Sequence, residues 1–139
     1  MAPALHALTL AECEVLLRGQ EHGRIALSTP QGPHIVPVRY VVDDGEPGFS
    51  IVTVVGAYSL IATYGDRAML AFEVDTLDTT SGASSSVVAR GRGEVLRRRR
   101  ELGAPVSQGL GTAGLRSLFV RLRPLELSGR RLDPVTLDR

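Results

Sequence analysis

The sequence predicts a mainly β protein, a small antiparallel barrel of six strands with two or three short helices. Three observations lead there. Apolar and polar residues alternate with period two in five runs between Arg24 and Ser128, the signature of half-buried strands, and a sixth run between them is apolar on both faces. Gly, Pro and Asp clusters separate the runs at short spacing, as in barrels and sandwiches. Six such strands in an open sheet would expose apolar edges, and closure removes them. The chain has 139 residues, one domain at roughly 100–200 residues per domain. With no Trp and 4% aromatics, its core must be filled by Val, Leu, Ala and Ile.

The first element is a helix at about 10–18. Thr9 and Glu12 stand at capping-box spacing, so each can satisfy the other's orphan amide. Leu10, Cys13, Leu16 and Leu17 recur at helical spacing, and Gly19 ends the run. Arg24–Thr29 is the first strand, followed by turn chemistry at Pro30-Gln31-Gly32-Pro33. His34–Asp43 is the second, with Val36, Val38, Tyr40 and Val42 on one face and Ile35, Pro37, Arg39 and Val41 on the other. Pro37 lacks a ladder donor, which predicts an edge or a bulge there. After a turn at residues 44–48, Phe49–Val55 is apolar on both faces and is read as a central strand.

Gly56 interrupts that strand, and Ala57 to Tyr64 reads as a short helix stopped by Gly65-Asp66. Arg67–Asp78 returns to alternation, with Ala68, Leu70, Phe72 and Val74 inward and Glu73 and Asp75 outward. Thr79–Ser85 is a polar loop. Ser86–Leu96 places Val87, Ala89, Gly91, Gly93 and Val95 on one face, with Arg90, Arg92 and Glu94 on the other. Two inward glycines imply close approach of a backbone or a planar ligand, or a sharp bend of the sheet. Arg97–Arg100 is a solvated charge run, and residues 97–116 form a loop-rich insertion. The last strand is Ser117–Ser128, its register shifted by Pro124 and its end turned by Gly129, with 132–139 as a tail. The whole chain, 1–139, is one domain with no repeat.

Composition and motif absences exclude several functions. No apolar run approaches the roughly 18 residues of a membrane span, and the N-terminal stretch has no basic region of a signal peptide. The lone Cys13 suits a reducing compartment; it is read as a packed small residue, since no motif places a base beside it. These features predict a soluble cytoplasmic domain. His6, His22 and His34 have no metal-ligand spacing. No nucleophile elbow, phosphate loop or dinucleotide fingerprint is present, and Gly109–Gly114 lacks the strand–helix context of the last. The pairs Asp43-Asp44 and Glu73/Asp75 are read as surface charge.

Charge is unevenly distributed. Residues 1–89 carry four arginines against ten acids, and residues 90–131 eleven against three, within a net charge of +1 and with no lysine. The basic third could meet an anion, a nucleic acid or the acidic half of a second copy. Without interleaved aromatics a single-stranded nucleic acid is disfavoured. Arg90, Arg92, Arg121 and Arg123 share outward faces with Val88 and Phe119, an apolar-plus-arginine mixture typical of interface cores. A homodimer is therefore expected, with neither nucleic acid nor membrane as a partner.

The remaining candidate chemistry lies at Ile51–Ser59, where a strand ends, glycine permits a turn and a helix begins. Unpaired amides at such a junction attract phosphate, and Thr53 and Ser59 add hydroxyls. Four ordered segments resemble the pyridoxamine 5'-phosphate oxidase-like, flavin-binding split-barrel family, in particular its short bacterial members. They are Gly23-Arg24-Ile25-Ala26 with Pro37–Asp43; Thr53 with Gly56; Ala71–Asp75 with Ser86–Gly93; and Val120–Pro124 with Ser128–Arg131. The resemblance spans about residues 8–131 and implies a split barrel, a homodimer, and FMN (in some members a deazaflavin or haem) between the subunits. It places cofactor contacts at Arg39, Tyr40, Val52, Thr53, Val54, Gly56, Tyr58, Ser59, Arg90 and Arg92. The sequence departs from the family at Val52 and Tyr58, where members that bind FMN commonly carry Arg and Lys. A charge-assisted hydrogen bond contributes about 1.5–3 kcal/mol. Each missing cation would therefore weaken binding roughly 10- to 100-fold, unless Arg39, Arg90 or Arg92 supplies the charge. An FMN-dependent oxidoreductase with an unknown small-molecule substrate is the resulting expectation. The alternatives are a non-catalytic module for flavin, deazaflavin or haem, and a dimeric interaction protein with a degenerate site.

Overall fold

The structure is a computed structural model that describes residues 4–45, 48–96 and 116–134. The Arg97–Arg100 run, nearly all of the insertion and the end of the tail lie outside the described residues. Helix α1 (Leu10–Arg18) matches its expected bounds. Thr9 Oγ1 accepts from the Glu12 amide at 3.2 Å, and Glu12 Oε1 accepts from the Thr9 amide at 3.0 Å. Strands β1 (Leu5–Ala7), β2 (His22–Thr29), β3 (Gly32–Asp43), β4 (Ser50–Gly56), β5 (Met69–Leu77), β6 (Ser84–Leu96), β7 (Ser117–Leu122) and β8 (Glu126–Leu132) complete the chain with α2 (Leu60–Tyr64).

The sheet runs β1-β8-β6-β5-β2-β3-β4-β7, and β7 also pairs with β6. That last ladder closes β2 to β7 into a six-stranded antiparallel barrel, leaving β8 and β1 as a flap outside it. Strand β6 is where the sheet forks. Its first half, Ser84–Arg90, pairs with β8, and its end, Gly93–Leu96, pairs with β7. The inward glycines sit at the fork, and the close neighbour is backbone. A Cβ at Gly91 would lie 2.1 Å from the Arg123 carbonyl oxygen, and one at Gly93 2.3 Å from that of Gly65.

The final strand expected at 117–128 is instead two strands in different places. Residues 123–125 leave the ladder around Pro124, β7 closes the barrel, and β8 joins the flap. Gly129 does not turn the chain. It lies within β8, where a Cβ would come 2.7 Å from Cys13 Sγ, so α1 packs directly on that strand. Burial pushes the Cys13 thiol pKa up, in keeping with a packing role. The short β1 has no alternation to reveal it. The second helix starts at Leu60, with residues 57–59 in a turn. Pro37 pairs with Arg24 of β2, while β3 meets β4 only from Tyr40 onward. The proline therefore sits on an open edge.

The barrel interior holds Ile25, Ile51, Leu70, Phe72, Val74 and Val87, all at 1% exposure or less. Tyr40 joins them edge-on to Phe72, ring centroids 4.7 Å apart at 66°. Its hydroxyl donates to the Leu17 carbonyl, which ties α1 to β3. Burial pushes the Tyr40 phenol from 10.0 up to about 12. The folded state resists ionising it, so this stabilisation is complete below the unfolded pKa and is lost as pH rises from about 10 to about 12. Ultraviolet titration should show one late phenolate step that coincides with unfolding, and Tyr40→Phe should remove it. Among the described residues no helix is long and apolar enough to cross a membrane.

Candidate functional site

Strand β4 is buried on both faces because it has barrel core on one side and a second apolar cluster on the other. Tyr40 stands opposite Thr53, and Val41 opposite Val52. Alternation sends the first pair inward and the second outward. Thr53 is 1% exposed and its Oγ1 donates to the Val120 carbonyl at 3.5 Å. Val52 packs outside the barrel with Leu96 and Phe119, flanked by Val41 and Val54. Tyr40, Val52 and Thr53 are all shut off from solvent within the single chain. Of the outward strip, Arg39 is exposed and Val54 partly so.

The strand that faces Val52 carries the cation that β4 lacks. Arg121 is its register partner on β7. Its Nε donates to Ser50 Oγ at 3.2 Å and its Nη2 to Asp43 Oδ2 at 3.1 Å. The Arg121 side chain is only 10% exposed. Its charge is already met by Asp43, so it does not replace a free cation at 52.

The turn after β4 is open. A Cβ at Gly56 would meet nothing within 4 Å, and Tyr58 is 89% exposed. The Ala57 amide donates to the Arg116 carbonyl at 2.7 Å, and the Ser59 amide to that of Gly56 at 3.0 Å. Ser59 caps α2, its Oγ accepting from the Ala62 amide at 3.2 Å. Arg116, one residue before β7, is thus held against this turn. It is exposed, and its guanidinium has no polar partner among the described residues. Sequence reasoning assigned residue 116 to the insertion and missed it. The signal was available: an arginine immediately before a strand that pairs with β4 must lie at the β4 end.

Arg90 and Arg92 project from the outer face of β6. Arg90 pairs with Glu126 at 3.0 Å, and Arg92 donates to the Arg67 carbonyl at 3.0 Å. Two strands separate β6 from β3 in either direction around the barrel. One chain therefore joins the β3, β4 and turn residues into one region and leaves the β6 arginines apart from it. A groove of about 340 Å³ opens between the end of α1 and β3, with Arg39 and Tyr40 in its lining. Among the described residues no group of three His, Cys, Asp or Glu could hold a metal ion.

A closed six-strand barrel whose ladder forks at one long strand defines a class, the split barrel. Within that class the chain belongs to the pyridoxamine 5'-phosphate oxidase family, whose model matches residues 9–131. Solved structures share the fold. The FAD binding protein from Mycobacterium smegmatis is 23% identical with a TM-score of 0.69, the match covering 92% of this chain and 98% of that one. A FAD-binding protein from Mesorhizobium loti is 20% identical with a TM-score of 0.72, over 94% and 98%. The flavocytochrome Anf3 from Azotobacter vinelandii is 9% identical with a TM-score of 0.66, over 97% and 72%. No curated protein sequence matches significantly.

A phosphate-tailed flavin has room at the turn, but the Ala57 and Ser59 amides expected to meet it are already spent on backbone carbonyls. Gly56 leaves space for an anion to approach the backbone, and Arg116 adds an uncommitted guanidinium that could grip phosphate bidentately. Thr53 and Val52 are turned away from that space. Arg39, exposed on β3, likewise has no side-chain partner among the described residues.

Proposed function

We propose that this protein binds FMN between two copies of itself and works as a cytoplasmic FMN-dependent oxidoreductase on a small molecule, with no nucleic acid or membrane partner. The family match over residues 9–131 carries this reading. The flavin-binding descriptions of proteins with the same fold support a flavin. When bound, a flavin supplies the electron or hydride transfer, and the protein supplies position, electrostatics and exclusion of water. Here the turn at Gly56 and Arg116 would hold the phosphate. Arg39 and Val54 would border the rest of the cofactor. Arg90 and Arg92, remote from that strip in one chain, would reach it from the second copy.

The absorption spectrum of the purified protein tests the reading. A yellow protein that takes up FMN and is bleached by reduced nicotinamide supports it. Replacing Arg116 by Gln should weaken FMN binding roughly 10- to 100-fold, the loss of one charge-assisted contact. FMN titration by fluorescence quenching reads this directly, and unchanged affinity would remove Arg116 from the site. A monomer by light scattering at micromolar concentration would remove the shared groove. The neutral Tyr58 and the buried Val52 favour one second reading, a module that holds flavin, deazaflavin or haem without turnover. Colour without bleaching by any donor would identify it.

A further inference from the structure

The groove between α1 and β3 carries a polar arrangement that the cofactor reading uses only at Arg39. Leu17, Tyr40 and Val42 form its apolar part, with Arg18, Glu21 and Arg39 around them. Of its charges, Arg18 is committed. Its guanidinium grips both oxygens of Asp44, at 2.8 and 2.5 Å, and lies 4.0 Å from Glu14. Arg39 and Glu21 are not. Neither side chain has a hydrogen bond or ion pair among the described residues, and they are not paired with each other.

The backbone adds a donor. The Tyr40 amide donates to the Glu21 carbonyl at 3.0 Å, which fixes the direction in which this face of β3 points. Val42, two residues on, points the same way. Strand β2 begins only at His22, opposite Arg39, so no strand lies beside Val42. Its amide has no partner among the described residues. One wall of the groove therefore offers a free guanidinium and a free N–H, and the rim offers a free carboxylate.

The geometry points to a binding site for a small organic acid: a monocarboxylate with a hydrogen-bond donor on the neighbouring carbon and a short apolar body. The carboxylate matches the fork of Arg39 and the Val42 amide. The donor, a hydroxyl or an amine, matches Glu21, and the body lies against Leu17 and Val42. A phosphate dianion is disfavoured by Glu21, a like charge on the same groove. The site lies within one chain and shares only Arg39 with the proposed cofactor strip, so binding is read with and without FMN.

Mandelate is a suitable probe, with mandelamide and phenyl phosphate for comparison, followed by amide NMR shifts on the protein both as purified and after FMN addition. Mandelate should shift the Val41 and Val42 amides saturably, with Kd on the order of millimolar. Mandelamide should bind at least about tenfold more weakly, and so should mandelate to Arg39→Gln. Arg130→Gln, on the exposed flap, should leave mandelate binding unchanged. Phenyl phosphate should bind more weakly than mandelate, and Glu21→Gln should narrow that gap. Shifts that avoid Val42, equal binding of acid and amide, or undiminished binding by Arg39→Gln would each overturn the assignment. A protein that takes up no flavin yet binds mandelate through Arg39 would overturn the cofactor reading alone.

Discussion

Gly91→Ala is expected to destabilise the protein by about 3 kcal/mol or more, at or beyond the upper end of ordinary overpacking. The added methyl would sit 2.1 Å from the Arg123 carbonyl oxygen and 3.3 Å from Leu122 Cδ2. Neither neighbour can yield cheaply. Leu122 is in the β6–β7 ladder, and the Leu125 amide donates to the Arg90 carbonyl at 2.8 Å, holding Arg123 between two fixed points. Gly93→Ala should behave alike. Its methyl would meet the Gly65 carbonyl oxygen at 2.3 Å and Leu70 Cδ1 at 2.7 Å. Gly93 is also bonded on both sides, donating to the Ala68 carbonyl at 2.9 Å and accepting from the Arg67 amide at 2.8 Å. Gly56→Ala, with open space around it, is the control and should shift stability by no more than about 0.5 kcal/mol. Urea midpoints of the three variants check this. A small cost at Gly91 would mean that the fork is looser than its contacts imply.

The second large effect is at the outer face of the barrel. Asp43→Ala leaves the Arg121 guanidinium, 10% exposed, without its carboxylate, and breaking such a pair costs about 3–5 kcal/mol. The reciprocal change, Arg121→Met, strands Asp43, which is 19% exposed. Asp43 also accepts from the Gly45 amide at 3.3 Å, so this loss should be the smaller. The double variant Asp43→Val with Arg121→Met should recover most of the stability, because apolar replacements of a buried pair are often neutral. Thermal unfolding of these proteins, with Asp43→Val as the matching single change, measures the coupling. A cost under about 1 kcal/mol for Asp43→Ala would show the pair to be solvent-screened.

Sequence reasoning succeeded where neighbours in the chain carry the information. Thr9 and Glu12 are three residues apart, and the helix they cap is legible from that spacing. The strands of the barrel alternate because each has one face on the core. Strand β4 was recognisable as central because both its faces are apolar. The error at 117–128 has the opposite origin. Alternation continues on both sides of Pro124, and nothing local says that the two halves take different partners. The candidate site was legible in the same partial way. Its position at the end of β4 follows from Gly56, while the burial of Val52 and the arrival of Arg116 depend on β7, more than sixty residues later in the chain.

Taken by itself, the order of residues determined the element types, the faces they bury and the family, since periodicity, capping and turn chemistry act over a few bonds. Only the folded molecule decided that β6 serves two sheets, that its glycines make room for the backbones of Arg123 and Gly65, and that Arg121 spends its charge on Asp43. Those outcomes turn on which distant segments come within a few ångströms of one another, and close packing allows very few such arrangements to coexist.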